Sequence, residues 1–116
     1  MHYALLLYGS EAEGQRASEA ERAALQRERE ALVAELAGRG RRGAFHPLAH
    51  TTSATTLRLR DGRPLLCDGP VAEAHEQLLG LLLVEARDLD EAIAIAGRTP
   101  EARLGAVEIR PLREAP

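Results

Sequence analysis

Apolar positions along the chain fall into short runs and two periodic stretches, and these predict the elements. Residues 3–8, Tyr-Ala-Leu-Leu-Leu-Tyr, are continuously apolar and stop at Gly9. A run of that length predicts a strand that is central in a sheet or covered on both faces. Residues 9–17 are polar and predict a loop. Ser18 and Glu21 then stand at capping-box spacing, where the serine oxygen accepts from a backbone N–H and the glutamate reaches back. A helix is expected from there to about Ala37. Leu25, Leu32 and Leu36 share one face, supported by Ala24, Ala31 and Val33. Arg22, Arg27, Glu28, Arg29, Glu30 and Glu35 cover the remainder as a solvated surface. Gly38 and Gly40 end the helix.

Residues 43–49 predict a second strand, and Pro47 within it points to an edge or a bulge. Residues 55–60 alternate, with Leu57 and Leu59 expected inward and Arg58 and Arg60 outward. Asp61-Gly62 is a hairpin turn signal, and Pro64 to Cys67 returns as the partner strand. Residues 80–86 form another apolar strand. Asp88 and Glu91 repeat the capping pattern ahead of a helix through Leu89, Ala92, Ile93 and Ala96, which Gly97 ends. Residues 98–104 read as a loop, and Val107 and Ile109 alternate with Glu108 and Arg110 in a last strand. The order β-α-β, hairpin, β-α-β predicts an α+β fold: a ferredoxin-like split βαβ sheet with an inserted β-hairpin. Two helices cover one face of such a sheet. The strands are apolar enough that the other face calls for a second subunit, so a homodimer is expected.

Composition narrows the classes. The chain has 116 residues, which makes residues 1–116 a single domain. No apolar run approaches the ~20 residues of a membrane span, and the start lacks a basic segment of the kind that opens a signal peptide. Cys67 is the single cysteine, so no disulfide framework exists and a cytoplasmic location is expected. The formal charge of −3 does not favour nucleic-acid binding. Glycine-rich phosphate loops, serine-nucleophile elbows and dinucleotide fingerprints are absent, so no cofactor is expected.

Candidate chemistry concentrates in Asp68-Gly69-Pro70-Val71-Ala72-Glu73-Ala74-His75-Glu76-Gln77-Leu78. Asp68 is expected to close a turn, with Pro70 driving Gly69 toward an extended conformation. If the following segment is helical, Glu73, Glu76 and Gln77 share a face; if it is extended, Glu73, His75 and Gln77 do. One reading is a ligand cleft in which Glu73 or His75 accepts a proton and Gln77, with Asp68 and Glu76 nearby, orients the ligand. The other is a capped turn whose carboxylates pair with arginines such as Arg58 or Arg110, or with arginines across a dimer interface. Arg39, Arg41 and Arg42 form a small basic knot that reads as a solvated turn. His46 and His50 are ~13 Å apart on an extended chain, too far to share a metal, so no metal site is expected. Cys67 reads as a buried, inert thiol, and Tyr3 and Tyr8 as core or interface residues.

Three blocks carry a family resemblance: Tyr3-Ala4-Leu5-Leu6-Leu7-Tyr8-Gly9; Ala54-Thr55-Thr56-Leu57-Arg58 through Asp61-Gly62 to Asp68-Gly69-Pro70 with Glu73, Glu76, Gln77, Leu78 and Gly80; and Asp88-Leu89-Asp90-Glu91-Ala92 with the stretch Gly105 to Pro111. Together they resemble the YCII-related proteins of the "DGPF" type. The resemblance implies two ferredoxin-like subunits paired sheet to sheet as a dimeric α+β barrel. It implies a small bacterial cytoplasmic protein, some of whose relatives are linked with extracytoplasmic-function sigma factors. Helix 18–37 would be the docking face for such a regulatory partner. The wider superfamily holds small-molecule isomerases, monooxygenases and decarboxylases with sites between sheet and helices. The expected function is therefore small-molecule binding near residues 68–80, or cofactor-free isomerase or lyase chemistry using Glu73 or His75. Val71 replaces the family's usual Phe, Ala74-His75 its Thr-Lys, and Leu79 the first of two glycines.

Overall fold

Tyr3, Leu5 and Leu7 alternate with Ala4, Leu6 and Tyr8, and the two sets meet different surroundings. The first set is buried, the second only half-buried. These residues form β1 (His2–Gly9), the first element in a computed structural model that describes residues 1–41 and 43–114. There follow α1 (Glu11–Arg16), α2 (Glu19–Gly38), β2 (Gly43–Pro47), a 3-10 turn over Thr51–Ser53, and the hairpin β3 (Thr55–Arg60) and β4 (Arg63–Asp68). Then come β5 (Gln77–Glu85), α3 (Leu89–Ala96), α4 (Glu101–Leu104) and β6 (Ala106–Pro111). The fold is mixed α+β. Its main sheet has the order β2-β5-β1-β6, antiparallel at every pairing. That order is what two interleaved βαβ units produce, each strand pair split by a strand of the other unit.

Register places the core. Leu5 lies opposite Leu82 and Ile109, and Tyr3 opposite Val84, on the side that the helices cover. Leu32 and Leu36 of α2 and Ala92, Ile95 and Ala96 of α3 complete that layer. On the other side Leu6 faces Leu81 and Ala4 faces Leu83, and no helix lies over them among the described residues. Pro47 closes β2 on the sheet's edge, where its missing N–H breaks no ladder.

Both predicted caps form. Ser18 Oγ accepts from Glu21 N at 3.1 Å, with the reciprocal bond from Ser18 N to the Glu21 carboxylate, and Asp88 accepts from Glu91 N. Residues 9–17, expected as a loop, instead contain α1. Ser10 Oγ accepts from Glu13 N, the same Ser-x-x-Glu spacing as at Ser18, so the local signal was present without an apolar stripe behind it. The expected loop 98–104 likewise contains α4, one turn whose Glu101 is drawn inward to Arg29. The strand expected at 80–86 starts earlier, at Gln77. Leu79 there is a bulge residue: Leu7 pairs with Gly80 and Tyr8 with Leu78.

The hairpin departs most from expectation. Leu57 and Leu59 were expected inward, yet they are 57% and 61% exposed. They share a hairpin face as the alternation requires, but the described residues bring no layer against it. Cys67, opposite Thr56 on the other face of the hairpin, is also exposed, not buried as expected.

Charged residues link α2 to the elements beside it. Arg103 makes a two-pronged bond to Glu28, at 2.6 and 3.0 Å, and Arg98 pairs with Glu35. Arg29, expected to be solvated, pairs with buried Glu101 and lays its guanidinium 4.6 Å from the Phe45 ring centroid. Of the predicted basic knot, Arg39 pairs with Glu35 and Arg41 with Glu91, while Arg42 lies outside the described residues. These contacts set an acid response. The Arg103 hydrogen bond holds Glu28 below its ordinary value, as Arg98 does for Glu35 and the Arg87 backbone N–H for Glu91. Each carboxylate has a folded pKa below its unfolded one. Its stabilising contribution is therefore complete above the unfolded value near ~4.3 and is lost as pH falls through the folded value. Thermal melts should hold a steady midpoint from neutrality to about pH 5 and drop progressively below about pH 4. A midpoint that rises on acidification would contradict this assignment.

Candidate functional site

Two segments rise from one end of the sheet and face each other: residues 48–54, after β2, and residues 69–76, between β4 and β5. Neither is helical beyond the 3-10 turn at Thr51–Ser53, and 71–76 runs through bends, neither helix nor strand. Backbone bonds dock them. Gly69 N donates to Ala54 O and Leu48 N to Leu79 O, both near 2.9 Å. Thr56 Oγ1 donates to Gly69 O at 2.8 Å. Gly69 has φ +103°, in the left-handed region, where an extended conformation was expected. Only glycine takes that value without strain, and it is what turns the chain out of the hairpin. The expected turn closed by the Asp68 side chain is not the device used: Asp68 ends β4, exposed, and its carboxylate has no hydrogen-bond partner among the described residues.

A carboxylate that sequence reasoning passed over locks residues 48–54 to α1. Glu11 accepts from Thr51 N at 2.8 Å and from Thr51 Oγ1 at 2.6 Å. Burial pushes its carboxyl up, but the Thr51 bonds and the nearby His50 outweigh that and hold it below the ordinary value. His50 Nε2 lies 3.6 Å from Glu11, and its Nδ1 accepts from Thr52 N at 3.2 Å. With Nδ1 engaged as a cap on the 3-10 turn, the imidazole is a structural group, and His46 in β2 belongs to a separate element. Glu11 and Thr51 are 40 residues apart, and no local pattern joins them.

Two clefts flank the 69–76 segment. The smaller, about 470 Å³, lies between Thr51, Thr52, Asp68 and Glu73. The larger, about 630 Å³, is walled by Tyr8, Leu48, Val71, Ala72 and Leu78, with Glu76 at its rim. Gln77 borders both. Its Oε1 accepts from Glu11 N at 2.9 Å and its amide donates to Ala74 O, so it holds the segment in place. Glu73 and Glu76 are exposed and have no ion-pair partner among the described residues. His75 is exposed and borders neither cleft. The structure thus brings Asp68, Glu73 and Gln77 to one cleft and Glu76 and Gln77 to the other. A third cavity, about 740 Å³, lies between α2 and the sheet beside Arg29, Phe45 and Leu79. Among the described residues no three His, Cys, Asp or Glu side chains converge as metal ligands, and no helix is long and apolar enough to cross a membrane.

The larger cleft can take a compact, largely apolar molecule. Its walls are mostly aliphatic, and its polar side chains come from Tyr8, Thr51, Ser53, Glu76 and Gln77. The YCII-related domain family matches residues 1–116. An uncharacterized protein of Rhizobium meliloti (strain 1021) is 37% identical over 114 residues, which is 97% of this chain and 92% of the relative. A central apolar strand opening the chain, an Asp-Gly-Pro turn leaving a hairpin and a match along the whole length agree, and the chain belongs to the YCII-related domain family.

Proposed function

We propose that this protein is a small-molecule-binding homodimer. Two ferredoxin-like subunits pair sheet to sheet as a dimeric α+β barrel, and each holds its ligand in the cleft between residues 48–54 and 70–78. The observation that carries the reading is the position of the larger cleft. It opens over Tyr8, at the end of the same uncovered sheet face that presents Leu6, Leu81 and Leu83. Pairing that face would close one side of the cleft and exclude water from it. A cytoplasmic location fits the reading, because Cys67 is an exposed free thiol with no second cysteine in the chain.

A ¹H–¹⁵N chemical-shift screen with small carboxylic acids, amides and phenols tests the ligand site. Binding should shift residues 8, 48–54 and 70–78, and Ala72→Trp, which fills the cleft, should abolish those shifts. Shifts confined to other surfaces, or left intact in Ala72→Trp, would refute the placement.

A second reading, a cofactor-free isomerase or lyase, draws support from Glu73. It borders the smaller cleft and carries no ion-pair partner among the described residues, which leaves its carboxylate open to a ligand proton. His75, the other candidate base, has no such support from position. A regulatory association with a sigma factor would use the outer face of α2, where Glu28 and Glu35 are already engaged by Arg103 and Arg98.

A further inference from the structure

Among the described residues nothing packs on either face of the β3–β4 hairpin. It forms a separate two-stranded sheet, and every strand residue except Thr56 is exposed. An isolated hairpin is marginal in water and needs a third strand or a packed face. Side chains directly opposite each other share a face. One face therefore carries Leu57 opposite Leu66 and Leu59 opposite Pro64, with Leu66 69% exposed. The other carries Arg58 opposite Leu65 and Arg60 opposite Arg63, and none of these arginines has an ion-pair partner among the described residues. From residue 57 to 66 these three arginines stand against Asp61 alone, a net +2. The segment 71–78 carries Glu73 and Glu76 and no Lys or Arg, a net −2, and neither glutamate is paired among the described residues.

From these matched surfaces we infer that the hairpin is an exchanged arm. Its apolar face packs on a second copy of this chain, and its arginines Arg58 and Arg63 reach the partner's 71–78 segment and pair with Glu73 and Glu76 there. The inference rests on the homodimer of the preceding section and adds that each cleft is complete only with the other copy's arm. The occupant is a second copy because one chain supplies both halves, an unpaired basic arm and an unpaired acidic rim. A two-fold axis satisfies both contacts at once. The arm then gains the packed face it lacks, and the cleft gains a lid edge and counter-charges for its carboxylates.

A charge-reversal exchange tests this on the full chain by sedimentation velocity. One variant carries Arg58→Glu and Arg63→Glu; the other carries Glu73→Arg and Glu76→Arg. Each alone should dimerise at least about tenfold more weakly than wild type, because like charges then meet at both contacts. Mixed in equal amounts, the two should restore a heterodimer of near wild-type affinity, since opposite charges meet at both. Circular dichroism of each variant separates lost association from lost folding. Variants that dimerise alone as well as wild type overturn the arm while leaving sheet pairing intact. So does a mixture that fails to recover, which is also what an arm folded onto its own cleft, or held for a different protein, would give. A wild type that sediments as a monomer at micromolar concentration sinks the homodimer itself.

Discussion

Replacing Gly105 with alanine should destabilise the protein by about 3 kcal/mol or more, among the larger effects available to one methyl group. A Cβ at that position would collide with the carbonyl oxygen of Tyr8 and sit 3.0 Å from Gly9 Cα. Both are backbone atoms of the central strand, so no rotamer change relieves the contact. β1 and β6 must separate at their Tyr8–Ala106 end, and the lost ladder lies directly beside the larger cleft. Urea unfolding should show the lowered midpoint. Gly14→Ala provides the control, because nothing lies within 4 Å of a Cβ there. Gly14 is inside α1, so that change should be neutral or stabilising by ~0.5–1 kcal/mol. Equal midpoints for the two variants would disprove the close approach.

Leu5→Ala and Leu6→Ala should differ sharply although the residues are neighbours. Leu5 is wholly buried under the helices, and its truncation should cost ~2–5 kcal/mol by lost transfer energy and a residual cavity. Leu6 faces the open side opposite Leu81 and is only half-buried in one subunit. Its truncation should cost under about 1 kcal/mol in a dilute monomer. At concentrations where copies associate, the Leu6 variant should lose the concentration dependence of the wild-type melting temperature. Melts over a hundredfold range of protein concentration make the comparison. If Leu6→Ala matches Leu5→Ala at every dilution, then Leu6 is buried within its own subunit.

What could be read from the chain followed the range of each signal. Caps at Ser18 and Asp88, the Asp61-Gly62 turn and the alternation of 55–60 are local, and each appears where its pattern places it. Asp61 and Gly62 both take positive φ, as a tight hairpin of this kind requires. α1 carried a legible cap but no apolar stripe, so polarity outweighed the cap. Alternation told which hairpin residues share a face, yet it carries no information on whether anything covers that face. That is why Leu57 and Leu59 were expected inside. For the site, the Asp68–Gln77 stretch was legible as the place, because a turn signal beside two strands concentrates polar groups at a sheet end. The roles were not. Gln77 spends its amide on Glu11 and Ala74, and the Glu11–Thr51 lock joins positions that only the completed fold brings together.

The central position of β1 has a bearing on how the chain acquires its structure. Its two neighbours, Gln77–Glu85 and Ala106–Pro111, come late in the sequence, so the middle of the sheet waits on its last strand. The β3–β4 hairpin closes through contacts a few residues apart and can form in microseconds, long before that. During synthesis the leading strand, with Leu5, Leu6 and Leu7 in succession, stays without either partner until some seventy residues have followed. That interval is when the chain is most open to misassociation along an apolar edge, and losing the final strand would leave the same edge bare in the finished molecule.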